Sequence, residues 1–443
     1  MGNKILIQNG YLVNPGTGQE GYADIIIEDG KIAQIRFLSE GASVDAAPVS
    51  EDTQNVENSG TEVIDAKGLY IFPGLVDAHS HFRDPGFTYK EDILSGAEAA
   101  AAGGYTDVVL MCNTNPVVDN TETLRYVLEK GKQTKIHVHS CGSVTFGLKG
   151  EKITDMEALK EAGAVGFTDD GIPLMDPEIL RQAMRKSTAL NMPLSLHEED
   201  KTLISENGIN RGKASEFYGI KGSPKEAEIS LIQRDLEIAL SENALVDIQH
   251  VSAKESVALI RQAVKSQGAK RTIHAEATPQ HFVLTEEAVI QIGANAKLNP
   301  PLRTEEDRLG IIEGLKDNTI DLIATDHAPH SEEEKSREIT HAPSGMLGLE
   351  TALSLAYEEL VLNHGLALSD VIAKFTCNPA KVYSLDAGNI KEGGSADLCI
   401  FDPNAEYKVE GFHSKSSNSP FLGRNMKGRV LYTICEGEVV YRV

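Results

Sequence analysis

Six residues able to hold a metal ion stand at the ends of short apolar runs: His79, His81, Asp170, His197, His250 and Asp326. The first run ends Asp77-Ala78-His79-Ser80-His81. Residues two apart on a strand point the same way, so His79 and His81 can chelate one ion from one side. Another run ends Thr168-Asp169-Asp170-Gly171, where alternation sends the two aspartates to opposite faces and only one can look inward. His197 and His250 close two further runs, and Ala324-Thr325-Asp326-His327-Ala328-Pro329-His330 closes the last. Four imidazoles and two carboxylates around one mouth would suit two borderline-hard divalent ions, zinc first. A His-x-His pair alone carries little weight, because surface pairs and satisfied core pairs are common. Polar residues gathered by chance at loop starts would account for two or three of the six, not for the set.

Residues so far apart in the chain need a scaffold that brings many strand ends together. Eight strand candidates can be counted: GLVDAHSH, YTDVVLMCNT, KIHVHSCGS, AVGFTDDG, PLSLHEED, ALVDIQHVS, RTIHAEATP and TIDLIATDHAPH. Helix-like stretches such as EDILSGAEAAAAG and EAEISLIQRDLEIALSEN lie between them, with apolar residues three and four apart. This alternation predicts an α/β fold, an eight-stranded (β/α) TIM-type barrel whose active face lies at the C-terminal strand ends. An open doubly wound sheet is disfavoured, since neither GxGxxG nor GxxxxGK[ST] occurs. Both chain ends read as short strands: KILIQNGYLV, ADIIIEDG and KIAQIRFL at the start, ADLCIFDP through GRVLYTICEGEVVYRV at the finish. The expected division is residues 1–72 and 384–443 forming one small β-domain around a barrel at 73–383. Within the first block, Glu40 to Thr61 is rich in Ser, Ala, Gly, Asp and Glu and reads as a surface loop or partly disordered insertion.

The 443 residues carry Lys+Arg 42 against Asp+Glu 66, a formal charge of −24 that repels nucleic acid and anionic membrane. An anionic small molecule remains admissible, because a bound metal or a buried arginine sets the local sign. The start, MGNKILIQNGYLV, has no signal-peptide pattern, and no apolar run approaches the roughly 20 residues of a membrane helix. Cys112, Cys141, Cys377, Cys399 and Cys435 form no CxxC pair and read as thiols in a reducing cytosol. A cytoplasmic protein acting on a small molecule is expected.

In chain order, GLVDAHSHFRDPG, MCNTNP, GFTDDG, LHEED, QHVS, KLNPPLR and ATDHAPHSEEEK resemble the dihydroorotases of the amidohydrolase superfamily, specifically the bacterial long-chain type. The resemblance runs from about Ile5 to the C-terminus. It implies two Zn2+ per chain, one held by His79, His81, Asp170 and Asp326, the other by Asp170, His197 and His250. Many relatives bridge the metals with a carboxylated lysine; AVGFTDDG has none, and the match falls on Asp170 as an aspartate bridge. A water bridging two zinc ions becomes a hydroxide near neutral pH and can attack a polarised carbonyl. Asp326 would then act as general acid/base, moving the proton to the leaving nitrogen. The implied reaction is the reversible closure of N-carbamoyl-L-aspartate to (S)-dihydroorotate in de novo pyrimidine (UMP) synthesis.

The same resemblance assigns ring binding to Arg83, Asn113, Asn299 and His330, with Arg83 and Asn113 on the substrate carboxylate. A guanidinium beside an amide suits a carboxylate, although Arg83 alone could be a surface ion pair. Ser344-Gly345 falls where relatives often have Phe-Gly, which leaves a backbone contact available. Residues 331–344 could be a lid or a plain solvated loop. His137 and His139 make a second His-x-His that matches no metal position of the family. His274, His281 and His327 read as packing or hydrogen-bonding residues near the mouth, and His341, His364 and His413 as surface residues. The nearest rival reading is a hydantoinase, dihydropyrimidinase or allantoinase acting on a neutral ring, which would leave a buried Arg83 without a partner. An inactive barrel serving as a partner subunit, as for aspartate transcarbamoylase, is the other. The full ligand set argues against it without excluding a homodimer or that association for an active chain.

Overall fold

The computed structural model describes residues 4–38 and 61–443, so the segment singled out in the sequence, Glu40 to Thr61, lies outside the described residues except for Thr61. β1 (Lys4–Asn14), β2 (Gln19–Glu28) and β3 (Lys31–Phe37) form an antiparallel meander. Alternation selects its inner face: Ile5 and Ile7 of β1 bury with Ala23, Ile25 and Ile27 of β2. Asp29-Gly30, both at positive φ, make the two-residue turn between β2 and β3 that the twist of a hairpin favours. β4 (Glu62–Asp65) and β5 (Tyr70–Pro73) then run parallel to β1.

The barrel follows. Its strands are β6 (Leu75–Ser80), β7 (Tyr105–Leu110), β8 (His137–Ser140) with β9 (Gly142–Ser143), β10 (Phe167–Thr168), β11 (Leu194–Leu196), β12 (Val246–Ile248), β13 (Ile273–Ala277) and β14 (Leu322–Ile323). All their pairings are parallel. β8 and β9 share the third position: Cys141 N–H donates to Leu110 O on one side and Gly142 N–H to Gly166 O on the other. The ring closes between strands one and eight, where Ser80 pairs with His327 and His81 N–H donates to His327 O at 2.9 Å. The buried Asp77 carboxylate fastens this seam by accepting from Thr325 N (2.9 Å) and Thr325 Oγ1 (2.6 Å). The expected eight-position barrel is therefore present. Its helices start and stop where local chemistry dictates. Asp92 caps Ile93–Ala102 by accepting from Leu94 N and Ser95 N, and Glu226–Glu242 ends at a left-handed Asn243.

β15 (Leu398–Lys408), β16 (Asn425–Cys435) and β17 (Glu438–Arg442) bring the chain back. β15 pairs antiparallel with β5, so the sheet order is β17-β16-β15-β5-β1-β2-β3, with β4 beside β1. One sheet is thus assembled from both chain ends, as the sequence suggested, and it has its own apolar core around Ile7, Ile25, Ile71, Ile400 and Ile434. β15 and β16 extend beyond their apolar runs, because their outer halves pair with each other while exposing polar residues. Among the described residues no helix is long and apolar enough to cross a membrane.

Candidate active site

The C-terminal strand ends converge on a cavity of about 260 Å³ lined by His81, Arg83, Asn113, Asp170, His197, Asn207, His250, Asn299, Asp326, His330, Ser344 and Gly345, among others. His79 lies beneath it, fully buried. Two sets of ligand atoms gather there, His79 with His81 and Asp170, and Asp170 with His197 and His250, each within 4.8 Å. Asp170 belongs to both. Its Oδ1 lies 3.5 Å from His79 Nε2 and 3.6 Å from His197 Nδ1, and its Oδ2 lies 3.5 Å from His81 Nε2. Asp326 Oδ1 sits 3.0 Å from His81 Nε2 and 3.6 Å from His79 Nε2. Asp169 faces the other way and accepts from Val144 N (2.8 Å), Thr145 N (3.0 Å) and Thr145 Oγ1.

The donor set fits metal binding. His79 Nε2 is buried without a hydrogen-bond partner and points at two carboxylates, while its Nδ1–H donates to Glu276 at 3.0 Å. That bond fixes the tautomer and leaves the Nε2 lone pair for an ion. His81 is set the same way by Asn113 Oδ1 at 3.0 Å from its Nδ1, and His197 by Glu199 at 3.2 Å from its Nε2. His197 Nδ1 and His250 Nε2 face each other at 3.0 Å. Charge alternates across the cluster. Burial opposes charge on His79, yet Glu276 and Asp170 raise its pKa well above normal. Burial would lift Asp326, but the bond to His81 and the nearby His79 and His250 bring it down to about 2. Burial, then His197 and His79, hold His250 neutral.

Glu276 and Glu199 were missed in the sequence, as were Asn207 and Lys90. Period-two alternation offered a signal for Glu199, two residues beyond His197 in the extended segment that follows β11. For Glu276 the signal was a carboxylate in the run Ile273-His274-Ala275-Glu276-Ala277, which must find a partner when buried. Glu276→Gln keeps the shape and removes the charge behind His79. Metal affinity should fall about 10- to 100-fold, as for other groups that orient a ligand. Chelator competition reads this, and unchanged affinity would reduce Glu276 to a packing role.

Arg83 reaches the cavity from a left-handed backbone (φ 59), half-buried, with Nε donating to Pro329 O at 3.3 Å. It makes no ion pair among the described residues. Asn113 spans two ligands, since its Nδ2 also donates to Asp170 Oδ2 at 2.9 Å. Asn299 Nδ2 approaches His197 Nε2 at 3.3 Å, and its Oδ1 is buried without a partner. His330 Nε2–H donates to Ser344 O at 2.8 Å, so Nδ1 accepts from Lys90 Nζ at 3.3 Å. Burial and the cations Arg83, Lys90 and Lys335 hold His330 neutral. Gly345 sits at φ 126, where a Cβ would come 2.7 Å from the Ala328 Cβ, so only glycine fits. Its N–H already donates to Lys297 O at 2.9 Å. Residues 331–344 fold back over two buried ammonium groups. Lys335 Nζ donates to Pro343 O and Gly345 O, and Lys297 Nζ donates to Ile339 O and Ala342 O. The second His-x-His lies elsewhere, with His139 on Asp107 at 2.9 Å.

A family model described as Dihydro-orotase-like matches residues 68–256, and one described as Amidohydrolase family matches 340–441. Among solved structures, L-hydantoinase (dihydropyrimidinase) from Arthrobacter aurescens superposes with a TM-score of 0.83 at 26% identity, over 100% of this chain and 96% of that one. Dihydropyrimidinase from Brevibacillus agri NCHU1002, at 23% identity and a TM-score of 0.81, shares the fold over 99% and 95%. Fold and family models define the class, a cyclic amide hydrolase of the amidohydrolase type. The dihydroorotase of Clostridium acetobutylicum is 52% identical over 439 residues, and that of Clostridioides difficile 50% over 437, each covering 99% of both chains. The chain belongs to the dihydroorotase family, hydrolases of cyclic amides that serve pyrimidine biosynthesis.

Proposed function

We propose that the chain interconverts N-carbamoyl-L-aspartate and (S)-dihydroorotate, with two Zn2+ held by His79, His81, Asp170 and Asp326 and by Asp170, His197 and His250. When bound, such ions lower the pKa of water and polarise a carbonyl. The chain's own groups do the rest. Arg83 and Asn113 hold the substrate carboxylate, Asn299 and His330 orient the ring, and the backbone at Ser344 and Gly345 closes one wall. In the hydrolytic direction Asp326 takes the proton of the attacking water and passes it to the ring nitrogen as the amide C–N bond breaks. In the other direction it returns that proton.

Arg83 carries this reading. A half-buried guanidinium in the cavity wall, with no ion pair among the described residues, calls for an anionic substrate. Hydantoin or dihydrouracil would leave it without a direct ion-pair partner. A charge-assisted contact contributes about 1.5–3 kcal/mol, so Arg83→Met should cut kcat/KM for dihydroorotate roughly 10- to 150-fold. Hydrolysis of dihydrouracil, which lacks the carboxylate, should hardly change. A wild-type chain that hydrolyses dihydrouracil as well as dihydroorotate would sink the substrate assignment and leave the metal cluster standing.

In this reading residues 73–383 are the catalytic barrel, and 1–72 with 384–443 form a β-domain without catalytic groups. Every group used comes from one chain, and a homodimer or an association with aspartate transcarbamoylase would leave these assignments unchanged. A cytoplasmic setting suits an enzyme whose five cysteines are free.

A further inference from the structure

At the opposite, N-terminal end of the barrel, three ligating side chains from three separate strand ends meet. His137 opens β8, Asp397 stands just before β15, and Cys435 closes β16. One ligand atom from each lies within 4.8 Å of the other two. His137 Nε2 is 3.5 Å from Asp397 Oδ2. Asp397 is not free to turn away, because its Oδ1 accepts the Glu436 N–H at 2.7 Å. Cys435 is only 4% exposed, whereas the His137 side chain is 33% exposed. It opens onto a cavity of about 570 Å³ that Cys435, His139 and Glu436 also line.

We propose that His137, Asp397 and Cys435 form a third metal site, for zinc or a similar borderline divalent ion. The donor set selects the ion: a thiolate and an imidazole favour zinc-like metals and exclude magnesium or calcium. The 3.5 Å between His137 and Asp397 fits, since ligand atoms around a tetrahedral zinc stand roughly 3.3–3.8 Å apart. Three protein ligands leave the fourth position for water from the adjoining cavity. As the ion binds, the Cys435 thiol gives its proton to solvent and forms the metal–sulfur bond. His137, where protonated, gives up a second proton, and nothing is oxidised or reduced. Such a site would tie the two-ended sheet to barrel strand three, far from the catalytic mouth.

Cobalt(II) distinguishes this site from the catalytic pair, whose proposed ligands contain no sulfur. The wild-type chain titrated with Co2+ should take up three ions and develop a cobalt–thiolate charge-transfer absorbance. Cys435→Ser should bind one ion fewer and lose the band while turnover is unchanged, and His137→Asn should do the same. A misfolded Cys435→Ser leaves the wild-type spectrum and His137→Asn to decide. If the catalytic metal assignment were wrong, the total would fall but the sulfur band would remain. A wild-type chain with its catalytic ions filled and no such band overturns the third site, as does a band that survives in Cys435→Ser.

Discussion

Asp326→Asn should lower turnover by at least roughly 10²- to 10⁴-fold, the range typical of removing a general acid/base. Asn is a better probe than Ala here. Asp326 sits at φ 46, a left-handed conformation that Asn adopts readily and Ala only at about 1–2 kcal/mol. Asp326→Ala should therefore show the same kinetic loss and a lower Tm as well. Arg83 and Asn113 remain in both variants, so substrate binding should survive better than turnover. Because Asp326 Oδ1 also faces His79 and His81, metal content must be measured on the same samples. A fully metallated Asp326→Asn enzyme with near-normal kcat would remove Asp326 from the proton path.

Asp170→Ala should cost the chain both catalytic ions at once, and turnover with them. Its two carboxylate oxygens are the only acidic atoms facing His79, His81 and His197 together at 3.5–3.6 Å among the described residues. The neighbouring Asp169→Ala should behave oppositely. Asp169 accepts from the Thr145 N–H and hydroxyl, so its loss leaves those two buried donors unmet at about 1–3 kcal/mol each, while Val144 N–H keeps Thr168 O at 3.3 Å. Its Tm should drop while metal content stays. Metal analysis and thermal melts on the two variants suffice. Metal loss in Asp169→Ala with retention in Asp170→Ala would reverse the inward face of this strand end.

The candidate ligands were legible because a barrel strand imposes a strict rule: its last inward positions face one point, so the His and Asp at five of the eight run-ends had to meet. The order of the runs also gave the barrel and the two-ended sheet. What sequence could not supply were contacts across strands distant in the chain. Glu276 serves His79 from strand seven, and Lys90 reaches His330 from a loop, and no local pattern names the partner in either case. The segment 331–344 resisted for another reason. Its charged composition reads as solvated, yet Lys335 is buried and its ammonium is consumed by backbone carbonyls. His137 shows the same limit, since Asp397 and Cys435 reach it only once the far end of the chain has folded onto the barrel.

The pairing of β5 with β15 also sets a timetable for synthesis. At about 5–20 residues per second, a ribosome delivers Leu398 on the order of 15–65 s after its partner Pro73. Through that interval β5 has β1 on one side and nothing on the other. A bare strand edge with Ile71 and Phe72 is a template for pairing with a neighbouring nascent chain. The half-made sheet is therefore the stage at which this protein most needs chaperones, and the closing strands end that need when they arrive.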